Sequence, residues 1–158
     1  METIEAVHRV AVAAEKEYFT RFDSRVNRSE FNKSDVSIAM ATIYIAQRLK
    51  VRAIATLTQS GNTAHWLAQK ENMALIYALS PNRVARRKLT LYRSVFPYPI
   101  DQEGKGRDEI LREMQDILLK EAVVKNSDRV ILTFGEPIGN PGGTNTMKIV
   151  TIGQNIES

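Results

Sequence analysis

The chain has 158 residues, about the length of one domain, and its 43% hydrophobic and 25% charged residues are typical of a globular protein. This composition excludes disordered, collagen-like and low-complexity chains, and the absence of cysteine excludes disulfide scaffolds and thiolate metal sites. The 22 basic and 18 acidic residues leave a net charge of +4, an excess too small to indicate nucleic-acid binding by itself.

The start of the chain does not resemble a signal peptide, because Met1 is followed by an acidic segment instead of a basic and then an apolar one. The longest mainly apolar stretches, Ile38–Ala46 and Ala74–Leu79, are far shorter than the ~20 residues that cross a bilayer as a helix. We therefore expect a cytoplasmic protein with no membrane partner.

The first predicted element is a helix over residues 1–20, in which apolar residues recur at helical spacing from Val7 to Ala14. This helix begins with no lead-in, and we expect it to lead out of another domain. We interpret residues 21–33 as an exposed connection and residues 34–153 as the core of a single domain.

A second helix is predicted from Ser34 and Asp35, the expected caps, and its two apolar stripes indicate burial on more than one side. Beyond residue 50, short apolar runs alternate with helical ones, a pattern typical of βαβ units. The predicted elements are strands over 51–57, 74–79, 95–100, 129–134 and 146–152, and helices over 63–70, 81–92 and 107–123.

Local signals refine this prediction. Ser80 is the expected cap of helix 81–92, and the two prolines of strand 95–100 suit an edge or an end of the sheet. No helix separates the last two strands, so their connection can turn the final strand antiparallel. The predicted fold is α/β, a three-layer α/β/α sandwich with about five mostly parallel strands.

The loop after the first strand is a candidate anion site, because ligands of such sheets bind outside the carboxyl ends of the strands. It combines hydroxyls, a glycine and the free N–H groups of a helix start, which favour a phosphate. The alternative is an ordinary helix cap by Ser60 or Thr63. The loop lacks the lysine of a Walker motif, so nucleotide hydrolysis is not supported. Its residues are Thr58, Gln59, Ser60, Gly61, Asn62 and Thr63.

A second loop, after strand 129–134, contains four glycines and two prolines between residues 135 and 143. It is expected at the same edge of the sheet, as a ligand-shaped loop or, alternatively, as a plain wide turn. Lys105 and Arg107 could add cations at that edge, although solvated side chains are the alternative that we favour for them.

Other candidates for chemistry are weaker. His65 could contact a ligand, but a packing role is favoured, and His8 makes no metal pair with it. Acidic residues at helical spacing on helix 107–123 indicate a solvated, ion-paired face. The basic run from Arg83 to Arg93 lacks the interleaved aromatics of a base-stacking surface, so a surface or subunit-interface role is favoured.

Three segments together resemble the C-terminal domain of pyruvate kinases. They are AIATLTQSGNTA (Ala53–Ala64), ALIYALSPNRVARRKLTLYRSVFPYPI (Ala74–Ile100) and SDRVILTFGEPIGNPGGTNTMKIV (Ser127–Val150). The first helix looks like the one by which the chain of that family leaves its catalytic barrel. The resemblance covers essentially the whole chain.

The resemblance implies a regulatory domain of an enzyme that transfers a phosphoryl group from phosphoenolpyruvate to ADP. The catalytic residues, with magnesium and usually potassium, belong to the barrel, so neither catalytic residues nor cofactors are expected here. The domain in many members contributes to a tetramer and binds a phosphorylated effector, whose phosphate the loop Thr58–Thr63 would cradle. The second loop would close over the effector with Gly135, Glu136, Gly139, Asn140, Pro141, Gly142, Gly143 and Thr144.

The chain departs from the family pattern in its charges. Gln59 and Asn62 are neutral, Glu136 adds a negative charge, and Pro141 removes an N–H donor. The loop length and the ending GGTNT look more like the bacterial type activated by sugar monophosphates or AMP than the type activated by fructose 1,6-bisphosphate. One alternative is a free-standing protein of this type that acts on or binds a small phosphorylated metabolite, with His65 as the general base if it is an enzyme. Another is a nucleic-acid-binding module, which we do not favour.

Overall fold

The computed structural model describes residues 2–18, 33–69, 74–139 and 143–154. The helices in these residues are α1 (Glu2–Tyr18), α2 (Ser34–Leu49), α3 (Asn62–Gln69), α4 (Arg83–Leu89) and α5 (Arg107–Lys120). The strands are β1 (Ala53–Leu57), β2 (Leu75–Ser80), β3 (Val95–Pro99), β4 (Arg129–Phe134) and β5 (Thr146–Thr151). Most of the predicted connection 21–33 lies outside the described residues, and the division of the chain into segments stays a prediction.

The five strands form one sheet in the order β3-β2-β1-β4-β5. The strands β1 to β4 are mutually parallel, and β5 pairs with β4 antiparallel. The predicted α/β fold is confirmed, including the reversed last strand. The short loop between β4 and β5 accounts for that reversal, because a parallel return needs a crossover of about a dozen residues or more.

Each face of the sheet supports its own apolar core. Alternate residues of β1 point to opposite faces, so that Ala53 packs in one core and Ile54 in the other. One core is closed by α5, whose Ile110, Leu111 and Met114 are fully buried. The other core contains residues of α2, α3 and α4. Because the central strand β1 is buried along its whole length, its hydrophobic run is continuous instead of alternating.

The prolines of β3 protect an edge of the sheet. The N–H of Ile76 in β2 donates to the carbonyl of Ser94 at 2.9 Å, so the alternation of a parallel pair turns Phe96 and Tyr98 toward β2. Pro97 and Pro99 then face the open side, where they have no N–H to offer another strand. The predicted edge position of this strand is confirmed.

Two predicted helix caps are wrong. Helix α4 begins at Arg83, and Asn82 is its N-cap, with a side-chain oxygen that accepts from the N–H groups of Val84 and Ala85 at 2.9 and 3.3 Å. Ser80 cannot be the cap because it is still paired with Pro99 as the last residue of β2. Helix α2 already includes Ser34, and its N-cap is Lys33, which makes no side-chain cap hydrogen bond.

The helix α1 is amphipathic but exposes apolar side chains. Ile4, Val7 and Val10 are 75%, 64% and 69% exposed. Within the described residues, no helix is both long and apolar enough to cross a membrane.

Candidate functional site

The loop between β1 and α3 is held by its own hydroxyls. The Thr58 hydroxyl accepts from the N–H of Gly61 at 3.0 Å, and the Ser60 hydroxyl accepts from the N–H of Asn62 at the long distance of 3.4 Å. Helix α3 begins at Asn62, so the loop delivers the start of this helix to the carboxyl edge of the sheet. The Ser60 contact is the cap-like one that the sequence offered as the alternative to an anion site.

Gly61 is required by this loop for two reasons. Its φ of +89° lies in the left-handed region that side chains disfavour. A Cβ at this position would also lie 3.2 Å from a methyl of Leu89 in α4. The glycine thus lets the loop pass close to the apolar core while its polar side faces outward.

The ends of the loop between β4 and β5 approach each other closely. A Cβ on Gly135 would lie 2.6 Å from the carbonyl oxygen of Gly143, a distance that only glycine tolerates. Asn145 adds two hydrogen bonds to the backbone of Glu136: its side-chain oxygen accepts from the N–H at 2.8 Å, and its amide donates to the carbonyl at 2.7 Å. Asn140, Pro141 and Gly142, which were predicted to face an effector, lie outside the described residues.

The two predicted loops meet in space. The hydroxyl oxygens of Thr63 and Thr144 lie 2.6 Å apart, and both residues are buried. Between the loops is a cavity of about 220 Å³ at the carboxyl edge of the sheet. Its lining includes residues from both loops, namely Thr58, Gln59, Ser60, Asn62 and Thr63 from the first and Gly135, Gly139, Gly143 and Thr144 from the second.

Three lining residues were not among the predicted site residues: Asp35, Gln102 and Leu57, the last residue of β1. Asp35 lies at the start of α2, and Gln102 follows β3. The side-chain amide of Gln59 donates to the side-chain oxygen of Gln102 at 3.1 Å, while the Gln102 amide nitrogen is buried without a partner. Gln102 could have been found, because it follows the carboxyl end of a parallel strand as the other lining residues do. The position of Asp35 depends on how α2 packs, for which the sequence carries no signal.

The two predicted extra cations do not line the cavity. The Lys105 ammonium lies 2.7 Å from the Glu113 carboxylate, and this hydrogen bond raises the pKa of Lys105. The Arg107 guanidinium lies 2.5 Å from the Glu136 carboxylate. In the described part of the lining, the only charged residue is Asp35. The described lining therefore offers hydroxyls, amides and backbone groups, but no cation, to a ligand.

His65 does not line the cavity either. Its ring packs against Tyr92 and Trp66, with ring centroids 4.8 and 5.5 Å apart, and its Nε2 lies 2.8 Å from the side-chain amide nitrogen of Gln69. These contacts agree with the packing role that the sequence favoured. They give no support to His65 as a general base at this cavity.

The remaining candidates lie on surface helices. The basic run of α4 and the acidic face of α5 are largely exposed. Across the described ranges, no group of three or more His, Asp or Glu side chains is arranged to hold a metal ion.

Comparison with known protein families identifies the family of this chain. Residues 36–150 match the family model described as pyruvate kinase, alpha/beta domain. This chain belongs to that family. The match contains β1 to β4, all of β5 except Thr151 and both loops of the cavity, and it leaves only Asp35 of the described lining residues outside.

Curated relatives named pyruvate kinase extend the similarity to nearly the whole chain. The chain is 32% identical to the pyruvate kinase of Sporosarcina psychrophila over 97% of its own length and 26% of the relative's. It is 33% identical to the pyruvate kinase of Buchnera aphidicola subsp. Schizaphis graminum over 96% of its length and 31% of the relative's. Pyruvate kinase II of Salmonella typhimurium is 32% identical, with 96% and 32% covered. The chain thus spans about a quarter to a third of the length of these relatives.

Proposed function

We propose that the chain is the regulatory domain of a pyruvate kinase and that its cavity binds a phosphorylated effector. The observation that carries this proposal is the meeting of two loops, 58–63 and 143–144 with Gly135 and Gly139, around one cavity at the carboxyl edge of a parallel sheet. Parallel sheets bind their ligands at this edge.

The donors of the cavity suit one phosphate group. The N–H groups at the start of α3 and the hydroxyls of Thr58, Ser60 and Thr63 can donate hydrogen bonds to phosphate oxygens. A second phosphate would need further donors or cations, and the described lining has no cation. This favours a sugar monophosphate or AMP over fructose 1,6-bisphosphate.

Family membership supports the wider proposal for the whole protein. The parent enzyme transfers a phosphoryl group from phosphoenolpyruvate to ADP in the cytoplasm, at a barrel site that holds magnesium and potassium. The present domain supplies no catalytic residue to that site and takes part in the assembly of a tetramer. The exposed apolar residues of α1 suit contact with the barrel.

The effector proposal is tested by thermal shift of this chain with ribose 5-phosphate, glucose 6-phosphate, AMP and fructose 1,6-bisphosphate. A ligand that binds only the folded state stabilises it by RT ln(1 + [L]/Kd), about 2.7 kcal/mol at a hundredfold excess over Kd. We expect a larger shift with the monophosphates than with the bisphosphate. No shift with any of the four at millimolar concentration would contradict the proposal.

A matched pair of variants locates the site. Asn62→Asp places a carboxylate in the cavity lining, whereas Asn126→Asp makes the same change on an exposed turn just before β4, at the opposite edge of the sheet. An acidic residue at the start of α3 favours the helix, so folding should be preserved. The ligand-induced shift should disappear in Asn62→Asp and persist in Asn126→Asp. A shift that persists in Asn62→Asp would place the ligand elsewhere, and equal loss in both variants would show that the added charge alone explains the effect.

A further inference from the structure

An ion pair joins Arg107 and Glu136, two residues that the sequence placed near the effector but that do not line the cavity. Arg107, the first residue of α5, approaches Glu136 of the second loop with 2.5 Å between its Nε and a carboxylate oxygen. The guanidinium carbon lies 5.9 Å from the centre of the Phe134 ring. Phe134 immediately precedes Gly135, which lines the cavity. The guanidinium thus packs beside a residue whose neighbour in the chain lines the cavity.

The backbone of Glu136 is held in place by hydrogen bonds. Both the N–H and the carbonyl of Glu136 are hydrogen-bonded to the side chain of Asn145. Asn145 follows Thr144, whose hydroxyl is in hydrogen-bond contact with that of Thr63. The position of Glu136 is thus tied through neighbouring residues to both loops.

The charged groups around the cavity show why this ion pair matters for the binding of a phosphate. The described lining contains one carboxylate, Asp35, and no cation, and Lys105 is engaged by Glu113. A phosphate in the cavity would therefore gain a charge-assisted hydrogen bond from Arg107 only if the guanidinium left Glu136, the nearer of its two carboxylate partners; Asp108 lies 3.8 Å away. Both side chains are about two-fifths exposed, so the pair can open without uncovering a buried charge.

We propose that Glu136 determines the charge specificity of the cavity by competing with the ligand for Arg107. This inference rests on the proposed function, which it deepens. With Glu136 present, the cavity binds a phosphate through neutral donors and discriminates against ligands of higher charge. With Glu136 neutralised, Arg107 becomes a phosphate ligand.

The test measures the affinity of this chain for ribose 5-phosphate and for inorganic phosphate by calorimetry. Glu136→Gln should bind both about tenfold more tightly, the usual gain of one hydrogen bond to a charged group. The gain should shrink as salt is added, because it is electrostatic. Arg107→Gln should leave the affinity nearly unchanged, and the double variant should lose the gain.

Glu113→Gln is the matched control, because it also removes one negative charge and releases a cation, Lys105, that does not line the cavity. It should leave the affinity unchanged. A tenfold gain in this control would overturn the inference, since net charge alone would then explain the effect. Weaker binding by Arg107→Gln alone would also overturn it, because Arg107 would already serve the ligand.

The outcomes separate this inference from the proposed function. If the unaltered chain binds ribose 5-phosphate and Glu136→Gln binds it no better, the inference fails and the proposed function stands. If the unaltered chain does not bind but Glu136→Gln does, competition for Arg107 is supported and the proposed function fails. If neither binds, both fail.

Discussion

The hydroxyl oxygens of Thr63 and Thr144 lie 2.6 Å apart, although the two residues are 81 positions apart in the chain. Each residue belongs to one of the two loops that line the cavity, and each is only 3% exposed. This contact joins the start of α3 to the strand connection before β5. It therefore couples the geometry of the cavity to the stability of the fold.

Removing one of these hydroxyls should destabilise the domain. Thr63→Val keeps the shape of the side chain but leaves the buried Thr144 hydroxyl without its partner, at a cost of about 1–3 kcal/mol. Thr144→Val should have a similar effect, and the double variant should cost less than the sum of the two. Urea unfolding of the four proteins measures this coupling. Strictly additive costs would show that the hydroxyls do not interact.

Replacing Gly135 should destabilise the loop, because the carbonyl oxygen of Gly143 leaves no room for a side chain at this position. In Gly135→Ala the new Cβ would meet the Gly143 carbonyl oxygen at 2.6 Å, so the loop ends must separate, at a cost of about 1–3 kcal/mol. The thermal shift with ribose 5-phosphate should disappear with the cavity. Gly104→Ala is the control: its φ is +70°, but no atom lies within 4 Å of the new Cβ. That variant should lose some stability to backbone strain and keep its response to the ligand.

The N-cap of α4, Asn82, should contribute to the stability of the domain. Asn82→Ala removes the acceptor for two backbone N–H groups and should cost about 1 kcal/mol in the free energy of unfolding. Asn82→Ser retains a hydroxyl acceptor and should recover most of that loss. Chemical denaturation of both variants is the measurement, and equal losses would argue against the cap.

The stability should fall in alkali partly because of Tyr77. Its side chain is buried, with only 6% of the residue exposed, and stacks on Phe96 at a centroid distance of 5.4 Å. Burial, then the negative charge of Glu121 and the neighbouring Tyr98, raises the pKa of Tyr77 above its ordinary value of 10.0. The folded state thus favours the neutral phenol. The unfolded chain loses that proton first, so the contribution is complete below pH 10.0 and is lost as the pH rises through the raised pKa.

Tyr77→Phe has no phenolic proton to lose and should therefore be less sensitive to this change. The difference in free energy of unfolding between the unaltered chain and Tyr77→Phe should shift in favour of the variant between about pH 8 and about pH 10.5. Urea titrations of both proteins at the two pH values measure this difference in the free energy of unfolding. Parallel curves for the two proteins would contradict the assignment of this effect to Tyr77.

Much of the architecture was predictable because its signals are local. Strand β4 was predicted with the bounds that the structure shows, residues 129–134, since a buried parallel strand is a continuous apolar run. The prolines of β3 indicated an edge because they cannot donate to a neighbouring strand. The cap of α4 was not predictable in this way, because Ser80 and Asn82 are both common caps and only the strand pairing of Ser80 decides between them.

The sequence by itself determined the α/β architecture, the reversed last strand and the two loops that reach one edge of the sheet. These follow from periodicity, turn residues and loop length, which act over a few neighbouring positions. Only the tertiary structure decided the charge of the cavity, by pairing Lys105 with Glu113 and Arg107 with Glu136 and by adding Asp35 to the lining. Ion pairs depend on distances through space, and packing and strand register set those distances. The +4 of the whole chain accordingly contributes no cation to the described lining of the cavity.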